Sequence, residues 1–167
     1  MQTSTRQKFI MTQQLLPGLI NGLLNGGIAW AQHRETAALG LWDQGAYATD
    51  LLATGFLLPA LSWLIVRPLL RHQAANGKAP ELSGLARPWL TRWMRPSLWG
   101  GTAAIGLMGM GLLGGGVVLA LQLLGSPGFA GTDYALFKGA YGAFLTLALQ
   151  PVMVFAALAP QQAARTV

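Results

Sequence analysis

Cysteine is absent from this 167-residue chain, and charge is scarce, because five acidic and 11 basic side chains make up only 10% of the residues. Without cysteine, the chain can form neither a disulfide bond nor a thiolate metal site. A soluble domain carries about 25% charged residues, so this chain has too little charge to cover a water-facing surface. Lipid is therefore the expected solvent for much of it.

Common catalytic and metal-binding patterns are also missing from the sequence. The two histidines, His33 and His72, flank an apolar run and are expected on opposite sides of a membrane, where they cannot share a metal ion. There is no HExxH motif, and "GLLGGG" lacks the lysine and the strand of a phosphate-binding loop. Asp50 is expected to be a boundary residue or a helix cap. We therefore expect no enzymatic activity and no cofactor.

Four apolar runs dominate the chain, in which 53% of the residues are hydrophobic. A membrane-spanning helix needs roughly 20 mostly apolar residues, and the candidate spans cover about residues 9–31, 51–66, 98–124 and 135–159. The first run lacks the small-residue cleavage site of a signal peptide, so a retained helix is expected. The sequence thus predicts an all-α integral membrane protein with four transmembrane helices.

Basic residues predict the orientation of these helices, because lysine and arginine accumulate in cytoplasmic loops. Nine of the 11 basic residues fall before the first span, between the second and third, or after the fourth, with one acid, Glu81, among them. Both termini and the middle loop are therefore expected in the cytoplasm, in a multi-pass protein of a bacterial inner membrane. Anionic lipid headgroups, rather than nucleic acid, then account for the net charge of +6.

An internal repeat relates the two halves of the chain. "GLLNGGIAWA" at residues 22–31 and "GLLGGGVVLA" at residues 111–120 share six of ten positions at a shift of 89 residues. A shift of 92 superposes Pro59 on Pro151 and Thr54 on Thr146. The sequence predicts two parallel two-helix repeats, namely a first hairpin (1–71), a basic cytoplasmic linker with an interfacial segment (72–97) and a second hairpin (98–167).

Glycines recur at four-residue intervals in the first and third predicted helices. Small residues let helix backbones approach closely, and this contact supplies packing energy in lipid. The ridges are expected to pack the first helix against the third, or against a neighbouring protomer; the alternative is that they line a narrow substrate path. The residues concerned are Gly18, Gly22, Gly26, Gly111 and Gly115.

Uncharged polar residues inside the spans form a second candidate feature. An unsatisfied polar group in lipid costs several kcal/mol, so these side chains are expected to point into the bundle. Pro59 and Pro151 are predicted kinks, and each frees a carbonyl four residues earlier that such side chains can use. The cluster is expected to be either a structural clasp or a small-molecule or water-lined site, and it comprises Asn21, Asn25, Thr54, Ser62, Thr146 and Gln150.

Aromatic and basic residues alternate in the linker, in "LARPWLTRWMRPSLW". This pattern is typical of a short segment lying in the headgroup layer, and docking of a cytoplasmic partner is the alternative. The residues are Arg87, Trp89, Arg92, Trp93 and Arg95.

Each half resembles small uncharacterised bacterial membrane proteins built from two-helix repeats. An asparagine near the end of the first helix, a second helix with paired prolines, and a basic exit carry the likeness; here these are Asn25, Pro59, Arg67, Pro68 and Arg71. The second half departs from the pattern, with Gly114 and Ala159 at the asparagine and arginine positions. The resemblance implies an inner-membrane protein and no particular activity.

Two functions are compatible with these observations. One is a channel or transporter for a small solute, acting as a homo-oligomer with a polar path near Asn21, Asn25 and Gln150. The other is a non-catalytic accessory or assembly subunit of a larger membrane complex, with the glycine ridges and the linker as contact surfaces.

Overall fold

The computed structural model describes residues 2–42, 46–78, 97–126 and 128–163, with side chains described from residue 14 to residue 158 within those ranges. The described residues form four long helices, which we call α1 (Gln2–His33), α2 (Tyr47–Ala75), α3 (Leu98–Leu123) and α4 (Gly131–Ala163). The predicted all-helical fold class is confirmed for this part of the chain, whose extended pairing is limited to one isolated bridge between Leu39 and Phe129.

Three of these helices are long and apolar enough to cross a membrane. They are Tyr47–Ala75, Leu98–Leu123 and Gly131–Leu158, with mean hydropathies of 1.6, 2.0 and 1.7 in their most apolar windows. A helix rises 1.5 Å per residue, so each exceeds the roughly 30 Å of a hydrocarbon core. These helices make the chain a membrane protein. The span predicted at residues 9–31 is not among these three helices, so α1 as a fourth span stays a prediction.

Each helix packs mainly on a helix of the other predicted hairpin. Within the described residues, α1 contacts α4, α3 contacts mainly α2, and α2 also contacts α4. The expected packing of the first helix on the third within one chain is wrong, because α1 lies along α4 instead. Two buried clusters hold the bundle together. One lies at the end that carries the loops from α1 to α2 and from α3 to α4, which we call the loop end, and it includes Tyr47, Tyr134 and Tyr141. The other lies at the opposite end, around Trp63 and Met153.

Backbone contact explains the pairing of α1 with α4. A Cβ atom placed on Gly22 would lie 3.1 Å from the carbonyl oxygen of Gly139 and 3.2 Å from the Cβ of Ala143. One placed on Gly26 would lie 3.2 Å from the carbonyl oxygen of Ala135. The ridge of α1 therefore brings two helix backbones together, which is the packing that small residues permit in lipid.

The contact of α3 with α2 is tighter still. Residues Gly109–Gly114 of α3 form a π-helical segment beside Pro59, whose ring frees the carbonyl of Gly55. A Cβ atom on Gly109 would collide with that carbonyl oxygen and lie 2.7 Å from Cγ of Pro59. By contrast, a Cβ atom on Gly111 would meet no atom of the described residues within 4 Å.

Candidate functional site

Part of the predicted polar cluster is present between α1 and α4. The Asn21 Nδ2 donates a hydrogen bond of 2.8 Å to the Thr146 hydroxyl, which in turn donates one of 3.0 Å to the carbonyl of Gly142. The Asn25 Nδ2 donates to the carbonyl of Asn21 at 2.9 Å. A Cβ atom on Gly142 would lie 2.9 Å from that amide nitrogen, so glycine makes room for Asn25 here. These bonds give Asn21, Asn25 and Thr146 the geometry of a clasp.

The other predicted members lie elsewhere. Thr54 is buried and Ser62 half-buried on α2, and α2 makes no contact with α1 within the described residues. Gln150 is buried on α4, and its Nε2 has no hydrogen-bond partner among the described residues. Thr54 and Ser62 therefore do not bond to Asn21 or Asn25. Pro59 and Pro151, the predicted kinks, each lie inside a helix that continues past the proline.

The glycines of α3 split in a way that the sequence did not indicate. Gly111 is exposed, and a Cβ atom on Gly115 would meet only a carbonyl of its own helix, that of Met110. Neither therefore packs α3 on another helix in the described part of the chain. Gly106 and Gly109 do this instead.

A charged cluster lies at the loop end of α2 and α4, where the sequence pattern did not predict one. The Asp50 Oδ2 accepts hydrogen bonds from both Lys138 Nζ and the Tyr134 hydroxyl. The Lys138 side chain is only 5% exposed, whereas that of Asp50 is 34% exposed. The carboxylate is therefore partly exposed and the ammonium is enclosed by protein.

Aromatic side chains surround this cluster. The rings of Tyr47 and Phe129 lie 5.1 Å apart edge to face, and the ring of His33 lies 5.7 Å from that of Tyr134. The Tyr47 hydroxyl is 3.2 Å from that of Ser126. The ring layer limits solvent access to Lys138, so its attraction to Asp50 is less screened than that of a surface pair.

Below the charged cluster, polar atoms continue along the junction of α2, α3 and α4. The Tyr141 hydroxyl, three residues beyond Lys138, donates 3.1 Å to the carbonyl of Leu51. It occupies a notch, because Cβ atoms on Gly55 and Gly114 would lie 2.9 and 3.1 Å from its oxygen. A glycine on α2 and a glycine on α3 thus make room for the phenol of Tyr141 on α4.

The sequence does carry a signal for this cluster, in the relation between two residues. Taken singly, Asp50 and Lys138 are each typical of a span boundary. Taken together, one is acidic, the other is basic, and both lie near the outer ends of the second and fourth predicted spans. An unpaired charge in a membrane span is costly, so opposite charges at matching depth are expected to meet.

The interactions available at this cluster are ion pairing and hydrogen bonding. It holds a carboxylate, an ammonium and a phenol, and the described residues contain no grouping of three or more histidine, cysteine or acidic side chains able to hold a metal ion. The predicted interfacial residues Arg87, Trp89, Arg92, Trp93 and Arg95 lie outside the described residues.

No family model, curated protein or solved structure matches the chain. Inferences about its function therefore rest on the fold and on the geometry of the site.

Proposed function

We propose that the chain is a four-span protein of a bacterial inner membrane, built from two parallel hairpin repeats with both termini in the cytoplasm. The packing of each helix on a helix of the other hairpin supports the repeat. A two-fold axis along the membrane normal would relate α1 to α3 and α2 to α4, so contact of α1 with α4 would be equivalent to contact of α3 with α2. Both contacts are present.

Equivalent residues meet at these two contacts when one shift of 92 is used throughout. A Cβ atom on Gly22 faces Ala143, and one on its equivalent, Gly114, faces Leu51. A bridge also joins the two connecting loops, with the amide of Leu39 donating 2.8 Å to Phe129 and that of Phe129 donating 3.1 Å to Leu39. These contacts support a two-fold repeat in which Gly114 corresponds to Gly22.

The proposed function is a channel or transporter for a small solute, acting as a homo-oligomer. The observation that carries it is the Asp50–Lys138–Tyr134 cluster. Ionisable side chains in transmembrane helices are costly and commonly mark ion or substrate pathways. Here they lie between α2 and α4, where the proposed repeats meet, and the carboxylate is partly exposed. The Tyr141 notch extends the polar track toward the bundle centre. The cluster is then the outer end of the path.

Flux through proteoliposomes tests this proposal. The purified protein is reconstituted into liposomes, and rates are measured for K⁺, Cl⁻, protons and glycerol against protein-free liposomes. We expect at least one rate to exceed that of the protein-free control. The double substitution Asp50→Asn with Lys138→Gln, which neutralises both partners at nearly constant volume, is expected to change that rate at least tenfold.

The matched control is Asp133→Asn, because Asp133 is an exposed acid in the first turn of the same helix. It is expected to leave the rate unchanged. Rates equal to protein-free liposomes for all four probes contradict the transport proposal. A rate that responds equally to both sets of substitutions contradicts the role of the cluster.

An accessory or assembly subunit of a larger membrane complex is the second candidate. The observation that favours it is the clasp, because Asn21, Asn25 and Thr146 bond to each other or to backbone carbonyls. In a solute path, polar groups are expected to be directed toward the solute, whereas these bond to other groups of the protein. Mild detergent extraction distinguishes the two: a symmetric homo-oligomer supports transport, and stoichiometric recovery with a larger complex supports the accessory role.

A further inference from the structure

We propose that the outer face of the α1–α4 pair holds one phospholipid, with an acyl chain in a glycine-floored groove and its phosphate on Arg34. The groove has a volume of about 660 Å³, which lies within the range of about 300–1,000 Å³ typical of ligand sites. Its floor is bare backbone, formed by Gly22, Gly26 and Gly139.

The length of the groove fits one leaflet. Along α1 it extends from Leu19 to Trp30, which is about 16 Å at 1.5 Å per residue. Half of a hydrocarbon core of roughly 30 Å is about 15 Å. Just before Leu19, the space between α1 and α4 is filled, because Leu147 of α4 lies against the buried Gly18. A Cβ atom on Gly18 would lie 3.3 Å from Leu147. An acyl chain ends at mid-membrane, whereas a spanning helix from another protein continues across it.

The other end of the groove carries groups suited to a headgroup. Trp30 lines the groove there, together with Thr132 of α4, and tryptophan is enriched at the headgroup level. The guanidinium of Arg34 lies 4.9 Å from the centre of the Trp30 ring and its side chain is 50% exposed. An apolar slot that leads to an arginine matches an acyl chain that leads to a phosphate.

Glu35 is the neighbouring acid, and its effect on Arg34 is limited. Its carboxylate lies 3.6 Å from Nε of Arg34, and its own side chain is 87% exposed. Such exposed pairs contribute little stability. A guanidinium has four further N–H donors on its two Nη atoms, so Arg34 can bind a phosphate while this pair persists.

Filling the groove tests the proposal with a matched control. A Cβ atom on Gly27, which lines the groove, would meet no atom of the described residues within 4 Å, and the same holds for Gly116 on α3. Gly27→Leu therefore adds bulk to the groove with no clash at its Cβ atom, whereas Gly116→Leu adds the same bulk elsewhere. The probes are phosphatidylglycerol and a diacylglycerol with the same acyl chains, and binding is measured by native mass spectrometry with equal thermal stability of both variants as the fold check.

We expect one phosphatidylglycerol per chain on the wild type and on Gly116→Leu, and at least a tenfold weaker affinity on Gly27→Leu. Arg34→Ala should remove the preference for phosphatidylglycerol over diacylglycerol. Equal binding by Gly27→Leu and wild type overturns the site in the groove, and an unchanged preference in Arg34→Ala overturns the role of the phosphate.

A second copy of the chain is the competing occupant, and the absence of cysteine from the sequence makes it testable. Gly27→Cys places the only thiol of the chain in the groove. Rapid disulfide formation between chains in native membranes, faster than for Gly116→Cys, would overturn the lipid proposal. Labelling of Gly27→Cys by a lipid that carries a thiol-reactive group in its acyl chain, competed by phosphatidylglycerol, supports it.

Discussion

A single methyl group at Gly109 tests the packing of α3 on α2. The Cβ atom of Gly109→Ala would collide with the carbonyl oxygen of Gly55 and lie 2.7 Å from Cγ of Pro59 and 3.3 Å from Cδ1 of Leu149. The first two neighbours are a backbone atom and a ring atom, so neither can rotate away. α3 must therefore move off α2, or the π-helical segment must rearrange.

Overpacking of a close-packed interior typically costs about 1–3 kcal/mol, and we expect Gly109→Ala to lower the free energy of unfolding by this amount. Gly111→Ala is the matched control, two residues further along the same π-helical segment. A Cβ atom there meets no atom of the described residues within 4 Å, so its effect should stay within about 1 kcal/mol, the difference in helix propensity between glycine and alanine.

Unfolding in one detergent, followed by the fluorescence of the tryptophans, measures both variants under identical conditions. The wild type and Gly111→Ala should unfold at similar midpoints, and Gly109→Ala clearly earlier. Equal midpoints for the two variants would refute the reasoning, because they would mean that α3 does not approach α2 at Gly109. A larger loss in Gly111→Ala would indicate that its face is covered by another protein surface.

The polar groups and the charge pattern lead to three more expected outcomes. Lys138→Met should destabilise the protein by less than the roughly 3–5 kcal/mol of a fully buried pair, since the Asp50 carboxylate that it leaves without a cation is 34% exposed; chemical unfolding should show partial recovery when Asp50→Asn is added, and no recovery would contradict the coupling. Asn21→Ala should cost about 0.6–2 kcal/mol by removing a bond between helices, whereas Asn25→Gly should cost less because Asn25 bonds within its own helix; the reverse order in thermal unfolding would exclude this account. Topology reporters fused after residues 40 and 130 should report the outside and those after residue 80 the cytoplasm, and a periplasmic signal at residue 80 would disprove the four-span arrangement.

The positions of the helices can be predicted from the sequence, because a helix in lipid depends on local properties. The third apolar run covers about residues 98–124, and α3 occupies Leu98–Leu123. Helix α2 extends well past its predicted span of 51–66, to Ala75, because the hydropathy that limits a span does not limit the helix. Arg67 and Arg71 lie in this extension and are compatible with a helix that leaves the hydrocarbon core.

The members of the candidate site can be predicted only in part. Asn21 and Thr146 meet because both lie on the faces where α1 and α4 approach each other. Thr54 and Ser62 share the same polar character but belong to α2, which faces α3 and α4. Polarity shows that a side chain needs a partner; it does not show which helix supplies that partner.

The sequence by itself determines that lipid is the solvent of this protein and that its secondary structure is helical, because charge content, the length of apolar runs, and proline and glycine content are local properties. Which helix faces meet is a property of the assembled bundle alone. In water, a buried helix face is more apolar than an exposed one, and the sequence records the difference. In lipid this contrast disappears, and the exposed Leu23 and Leu112 are as apolar as the buried Leu51 and Leu145. The choice between Gly109 and Gly111 as a contact therefore rests on backbone fit, which exists only once the helices are assembled.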